Sequence, residues 1–213
     1  MARYLIALSE TKEDREPLSN GVEYQRIAAL MGQLWSPIAA VTSQWRDKAN
    51  AQIAVAIGAA SIVPGKPRVV VQIYKGNYSH QLIHQSGAFA LNFLRQDQLG
   101  LIKDFGLVSG KDRDKLSGVD YVLGASGSPI LKDCWGYLDC RVVNAMDGGD
   151  MTCFLAEVLE GDTVSDSEPL WWREARRKLP PEWIEEWDRK ISGEIEVSRQ
   201  RMQQINYTPW KSS

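Results

Sequence analysis

From residue 37 to residue 160 the chain returns again and again to the two-residue period of β-strands, without strand–helix–strand alternation. That succession constrains the fold most, because parallel sheets need crossover helices and antiparallel ones do not. Strand-like runs are expected at 38–45, 51–57, 69–74, 88–94, 135–144 and 151–160, with one more in ARYLIAL near the N-terminus. Arg46-Asp47-Lys48 is a polar turn between the first pair, and Met146-Asp147-Gly148-Gly149-Asp150 joins the last pair. Helical spacing is expected at 23–32, 77–87 and 97–105, and again after 170. The charged stretch 111–116 reads as an exposed turn or short helix, and Gly124 to Pro129 as a loop. Many strands with few helices indicate a mainly β protein, a β-barrel with helical additions.

Composition narrows the class. At 213 residues, with 44% hydrophobic and 24% charged side chains, the chain can build one sizeable domain or one domain with an appendage. A formal net charge of −2 leaves no basic excess of the kind that binds nucleic acid. No apolar run is long enough to span a membrane, and the apolar core of MARYLIALSETKEDRE is too short for a signal peptide. Cys134, Cys140 and Cys153 form an odd set without metal-type spacing, which reads as reduced structural thiols. A cytoplasmic protein is expected, with no nucleic-acid or membrane partner.

The chain divides near residue 164. A barrel domain is expected over 1–164 and a Trp-rich helical extension over 165–213. In the extension Pro180-Pro181 opens a helix whose Trp183, Ile184, Trp187, Ile191 and Ile195 form one apolar stripe. That stripe, with Trp171 and Trp172, must be buried on the barrel or on a partner subunit.

Chemistry concentrates between residues 35 and 85. The apolar run 69–74 ends in Lys75-Gly76-Asn77-Tyr78-Ser79, where Asn77 caps a helix closed by Gly87. A helix N-terminus attracts anions through orphan N–H groups and the macrodipole. Lys75 adds a full charge, and Asn77, Tyr78 and Ser79 add hydrogen-bond donors. The pentapeptide reads as a phosphate pocket or as an ordinary capped helix beside a surface lysine. Upstream, Ile53, Val55 and Ile57 alternate with Ala54, Ala56, Gly58 and Ala60, giving one strand face of small residues only. Such a face admits a flat ligand, or else another sheet or subunit packs there.

Other chemistries lack support. His80 and His84 have i, i+4 metal spacing, but no HExxH glutamate accompanies them and no third histidine exists in the chain. They read as surface or interface residues. There is no GxSxG elbow, GxGxxG fingerprint or Walker A sequence.

SPIAAVTSQW, NAQIAVAIGAASIVPGKPRVVVQI and KGNYSHQLIHQSGAFALNFL, in that order, resemble the flavin reductase-like, FMN-binding split-barrel family. DKLSGVDYVLGASGSPILKDCWGYLDCRVVNAMDGGDMTCFLAEV continues the resemblance, which covers about residues 35–161. It implies an FMN-binding split barrel that forms a homodimer with the cofactor near the subunit interface. By position, Thr42, Ser43 and Gln44 would line the flavin, and Asn50, Ala51 and Gln52 would face its polar edge, largely by backbone groups. Ser61, Lys75, Asn77, Tyr78 and Ser79 would hold the ribityl phosphate. The implied reaction is hydride transfer from NADH or NADPH to flavin, with the flavin supplying the redox chemistry and no protein acid or base nominated. Two departures stand out. Met151 follows Gly149-Asp150 where many members carry histidine, and Pro64-Gly-Lys-Pro67 replaces adjacent prolines. A thioether cannot donate a hydrogen bond or take a proton as imidazole does. That leaves an FMN electron carrier, reduced by a redox partner protein, as the alternative.

Overall fold

A computed structural model describes residues 24–206, and the ARYLIAL strand lies outside them. The described chain runs α1 (Tyr24–Met31), β1 (Ala39–Trp45), β2 (Lys48–Ala54), β3 (Ile57–Ala59), β4 (Arg68–Tyr74) and α2 (Tyr78–Ser86). It continues with β5 (Ala88–Phe93), α3 (Leu99–Gly106), β6 (Tyr121–Leu123), β7 (Pro129–Leu131), β8 (Gly136–Asp147) and β9 (Met151–Thr163). α4 (Trp172–Lys178) and α5 (Pro181–Arg201) follow. Five of the six strands expected within the described residues form near their expected ranges, and the sixth, 51–57, is split between β2 and β3. The α2 helix ends at Gly87 in the left-handed conformation, φ 68°.

Seven strands make one sheet in the order β2-β1-β5-β8-β9-β4-β3, and every pairing is antiparallel. The two outermost strands are neighbours in sequence, separated only by Val55 and Ala56. Laid flat, seven strands would hold those edges about 29 Å apart, whereas the chain from 54 to 57 reaches roughly 10 Å. The sheet must therefore curl on itself. Gln72 N–H donates to Ala56 O at 3.0 Å, and Ser36 N–H donates to Val55 O at 2.8 Å, so the junction is bonded to both sides. The result is a split barrel.

Two apolar clusters follow from strand alternation. Ala39, Val41, Val71, Ile73, Phe89, Leu91, Phe154 and Ala156 fill the barrel interior. The opposite faces of the same strands, through Ile38, Ala40 and Ala51, pack outward under α3 and α4 against Ile102, Phe105, Trp172 and Ala175. At the β2–β3 junction the alternation breaks. Val55 packs on the outer cluster and Ile57 on the inner one, so the unbroken small-residue face expected from 54 to 60 does not exist. Partner exchange at residues 55–56 resets which side each residue faces.

Other expectations also change. β6 and β7 are three-residue strands, too short to show a period in the sequence. Lys115 and Leu116 are buried, not exposed with the rest of the 111–116 stretch. Past residue 164 the chain continues into the outer cluster. Leu170 N–H donates to Leu94 O at 2.7 Å, and Leu170 O accepts from Ile38 N–H at 2.8 Å. Leu170, Trp172, Ala175 and Leu179 are buried there, and Trp183, Ile184 and Trp187 of α5 pack on its edge. Ile195, at the end of the apolar stripe, is exposed. No described helix is long and apolar enough to cross a membrane.

Candidate functional site

A cavity of about 630 Å³ lies on the barrel flank between β2, the start of α2, residues 106–110 and α5. Its volume is within the range of small-molecule sites, about 300–1,000 Å³. β2 contributes Asn50 and Gln52 from the alternate positions to Ala51 and Ile53, which pack on the outer cluster. Asn50 is 2% exposed and Gln52 6% exposed, yet Asn50 Oδ1 and Gln52 Oε1 have no hydrogen-bond partner. Two orphan buried carbonyls in one wall are costly, which marks them as groups awaiting donors from a ligand. Gly110 closes over this wall. A Cβ there would collide with the Asn50 amide, so glycine is what lets the 106–110 segment approach.

The helix end expected to take an anion sits at the same cavity. Gly76, Asn77 and Tyr78 line it. Asn77 has an extended backbone and makes no side-chain cap bond, so the orphan N–H groups of the first turn of α2 are not occupied by it. Ser79 is buried, and its Oγ accepts from Asn50 Nδ2 at 2.8 Å, tying the helix terminus to β2.

Lys75 is committed elsewhere. Its Nζ pairs with Asp147, which also accepts from Gly149 N–H at 2.7 Å and Asn206 N–H at 2.9 Å. Burial works against the Asp147 carboxylate, but bonds from Lys75, Asn206 and Gly149 outweigh it and hold its pKa below the usual value. The remaining candidates are placed outside the cavity wall. Thr42 donates to Pro129 O and accepts from Asn92 Nδ2 at 3.0 Å, and Ser43 is buried with its hydroxyl unpartnered. Gln44 bonds Arg46 O at 3.1 Å, and Ser61 accepts from Val63 N–H in the following loop. Ala51 takes part through its carbonyl, which accepts from Lys115.

Several lining residues lacked a sequence signal. Lys115, 5% exposed, donates from Nζ to Ala51 O at 3.0 Å and to Phe105 O at 2.7 Å. Lys190 of α5 donates to Gly106 O at 2.6 Å. The two ammonium groups thus satisfy the last carbonyls of α3, where cations are favoured. Trp187, Ile191 and Glu194 of α5 also line the cavity, and Tyr74 Oη donates to Glu194 O at 3.4 Å. Burial pushes the Glu194 carboxyl up, opposed by Lys190. Met151, where the family resemblance leads one to look for histidine, lies in the same wall. A helix that begins 127 residues after β2 ends, at Pro181 against Ala54, could not be placed here by any local pattern.

His84 is exposed, as expected of a surface histidine, whereas His80 is half-buried. His80 Nε2 lies 2.7 Å from Thr152 Oγ1, and its ring packs 5.7 Å from that of Phe154. Among the described residues no group of His, Cys, Asp or Glu could hold a metal ion. Burial, then His84, Lys75 and Arg201, lower the His80 pKa from 6.5 to about 4, with only Asp147 opposing. Between those values the unfolded chain binds more protons than the folded one. Stability is therefore expected to be full above pH 6.5 and to fall as pH drops toward 4. Urea titrations of wild type and His80→Gln across that window check this. An equal slope in both proteins would rule out His80 as the source.

A curled antiparallel barrel with a cavity floored by orphan carbonyls and flanked by an open helix terminus defines a class, the split-barrel flavoproteins. The His80 N–H donates to Asn77 O at 3.1 Å, which leaves the N–H groups of Tyr78 and Ser79 at the helix start. These and the orphan acceptors fit the phosphate and ring edge of a flavin nucleotide. The chain belongs to the flavin reductase like domain family, whose model matches residues 31–180. It is 30% identical over 165 residues to a flavin reductase of Pseudomonas putida, covering 76% of this chain and 94% of that protein. It is 29% identical over 146 residues to a high molecular weight rubredoxin of Moorella thermoacetica. That match covers 66% of this chain and 63% of the rubredoxin, so the chain spans just under two thirds of that relative. Among solved structures, nitrilotriacetate monooxygenase component B of Mycobacterium thermoresistibile superposes with a TM-score of 0.59 at 25% identity. It covers 68% of this chain and 79% of that one.

Proposed function

We propose that the protein is an FMN-dependent oxidoreductase that passes electrons from NADH or NADPH to flavin, working as a homodimer in the cytoplasm. The observation that carries this reading is the cavity lined by Asn50 and Gln52, whose side-chain oxygens have no partner, together with Asn77 and Tyr78 at the N-terminus of α2. The Pseudomonas putida relative, a flavin reductase matched over 94% of its length, supports the same activity. When bound, the flavin would supply a two-electron hydride acceptor. Asn50 and Gln52 would accept hydrogen bonds from its ring edge, and Ser79 with the first-turn N–H groups would donate to its phosphate. Trp187 and Ile191, roofing the cavity from α5, would exclude water.

A second reading is an FMN electron carrier reduced by a protein partner. Met151 in the cavity wall favours it, because no imidazole stands there to meet a nicotinamide. The absorbance of the purified protein and an anaerobic titration with NADH and NADPH separate the two. A yellow protein bleached by either nucleotide is expected. One that is yellow but reduced by neither leaves the carrier, and one that retains no added FMN removes both.

A further inference from the structure

Lys115 is a buried cation without an anion. It is 5% exposed, lines the cavity, and pairs with no carboxylate among the described residues. Its hydrogen bonds go to two neutral carbonyls, Ala51 O on β2 and Phe105 O at the end of α3. The charged groups that act on it, Lys190 and Arg113, are both positive. Burial first, then these neighbours, push the amine down to about 8, which leaves it mostly protonated at neutral pH.

Clamping α3 to β2 accounts for the two hydrogen bonds. The C-terminal end of α3 favours a cation there but offsets only part of the cost of desolvating an ammonium ion that pairs with no carboxylate among the described residues. The Ala51 carbonyl that Lys115 holds lies between the two residues, Asn50 and Gln52, whose side-chain oxygens are orphaned in the cavity wall. The positive charge is therefore fixed beside the part of the wall built to meet a ligand.

We infer that Lys115 supplies the charge by which this site binds reduced flavin more tightly than oxidised flavin. This rests on the flavin reading of the cavity. The isoalloxazine ring is neutral when oxidised, and a hydride, two electrons with one proton, leaves it with one negative charge. A fixed cation in a desolvated wall acts on that difference and on little else in the ring. The bound flavin is then easier to reduce than it would be without Lys115, whichever donor provides the electrons. Lys115 is a charge-supplying residue here, with no part in moving a proton.

The test is the midpoint potential of FMN bound to the protein, read by spectroelectrochemistry beside fluorescence titrations of oxidised FMN. Lys115→Met, of similar length and uncharged, is expected to weaken reduced relative to oxidised FMN about tenfold, lowering the midpoint by ~30 mV for this two-electron couple. Lys115→Gln keeps an N–H donor for the carbonyls and should show the same fall, so the measurement survives if methionine disturbs folding. Lys115→Arg keeps the charge and should stay near the wild-type potential. An unmoved midpoint in both neutral variants, or equal weakening of both redox forms, would overturn the assignment while leaving the flavin site intact. A wild-type protein that binds no FMN would overturn both.

Discussion

Phe154→Ala is expected to remove about 3–5 kcal/mol of unfolding free energy, a large part of the ~5–15 kcal/mol that holds a domain of this kind together. Phe154 is fully buried at the centre of the barrel interior. It sits on β9, opposite Val71 of β4 on one side and Ala145 of β8 on the other. Those partners belong to a closed curl that cannot collapse freely around a void, because β2 and β3 tie its two edges together. The lost contacts and the residual cavity therefore both count. Urea unfolding should show a lower midpoint with an unchanged slope. Val143→Ala, at an exposed position on β8, should shift stability by no more than about 0.5 kcal/mol. A Phe154→Ala loss below about 1 kcal/mol would mean that the barrel interior repacks, contrary to the tie described here.

The second large effect concerns the phosphate. Ser79→Ala together with Lys75→Ala is expected to weaken FMN about 10–100-fold while changing riboflavin, which has no phosphate, by less than about twofold. Ser79 carries most of this. Its Oγ already accepts from Asn50, which leaves its own O–H proton to give to an anion at the helix terminus. Lys75 contributes less, because its charge is shared with Asp147. Fluorescence titrations of both ligands with both single variants resolve the split. Equal losses for FMN and riboflavin would place the phosphate away from α2.

The strands were readable because alternation is local. The run 69–74, the Asn77–Gly87 helix boundaries and the turn before Met151 each depend on neighbours within a few residues. Of the candidate site, the helix terminus with Asn77, Tyr78 and Ser79 was legible for the same reason, and the position of Asn50 and Gln52, though not the use of their side chains, through the family resemblance. Lys115 was not. It lies in a stretch with Lys111, Asp112, Arg113 and Asp114, all exposed, and nothing in that run distinguishes the one side chain that turns inward. The break at Val55–Ala56 was equally hidden, since the amino-acid pattern of 53–60 is that of one uninterrupted strand.

By itself, then, the amino-acid sequence determined the mainly β class, the antiparallel hairpins, the extent of α2 with its Gly87 end, and the family. These follow from periods of two to four residues and from turn chemistry. Tertiary structure alone decided that the sheet closes through residues 55–56, that Lys75 faces Asp147, and that α5 roofs the cavity. It also decided that Lys115 stands uncompensated beside the orphan carbonyls of Asn50 and Gln52. Each of these depends on segments far apart in the chain meeting in space, where burial and charge set the outcome and local pattern carries no record of it.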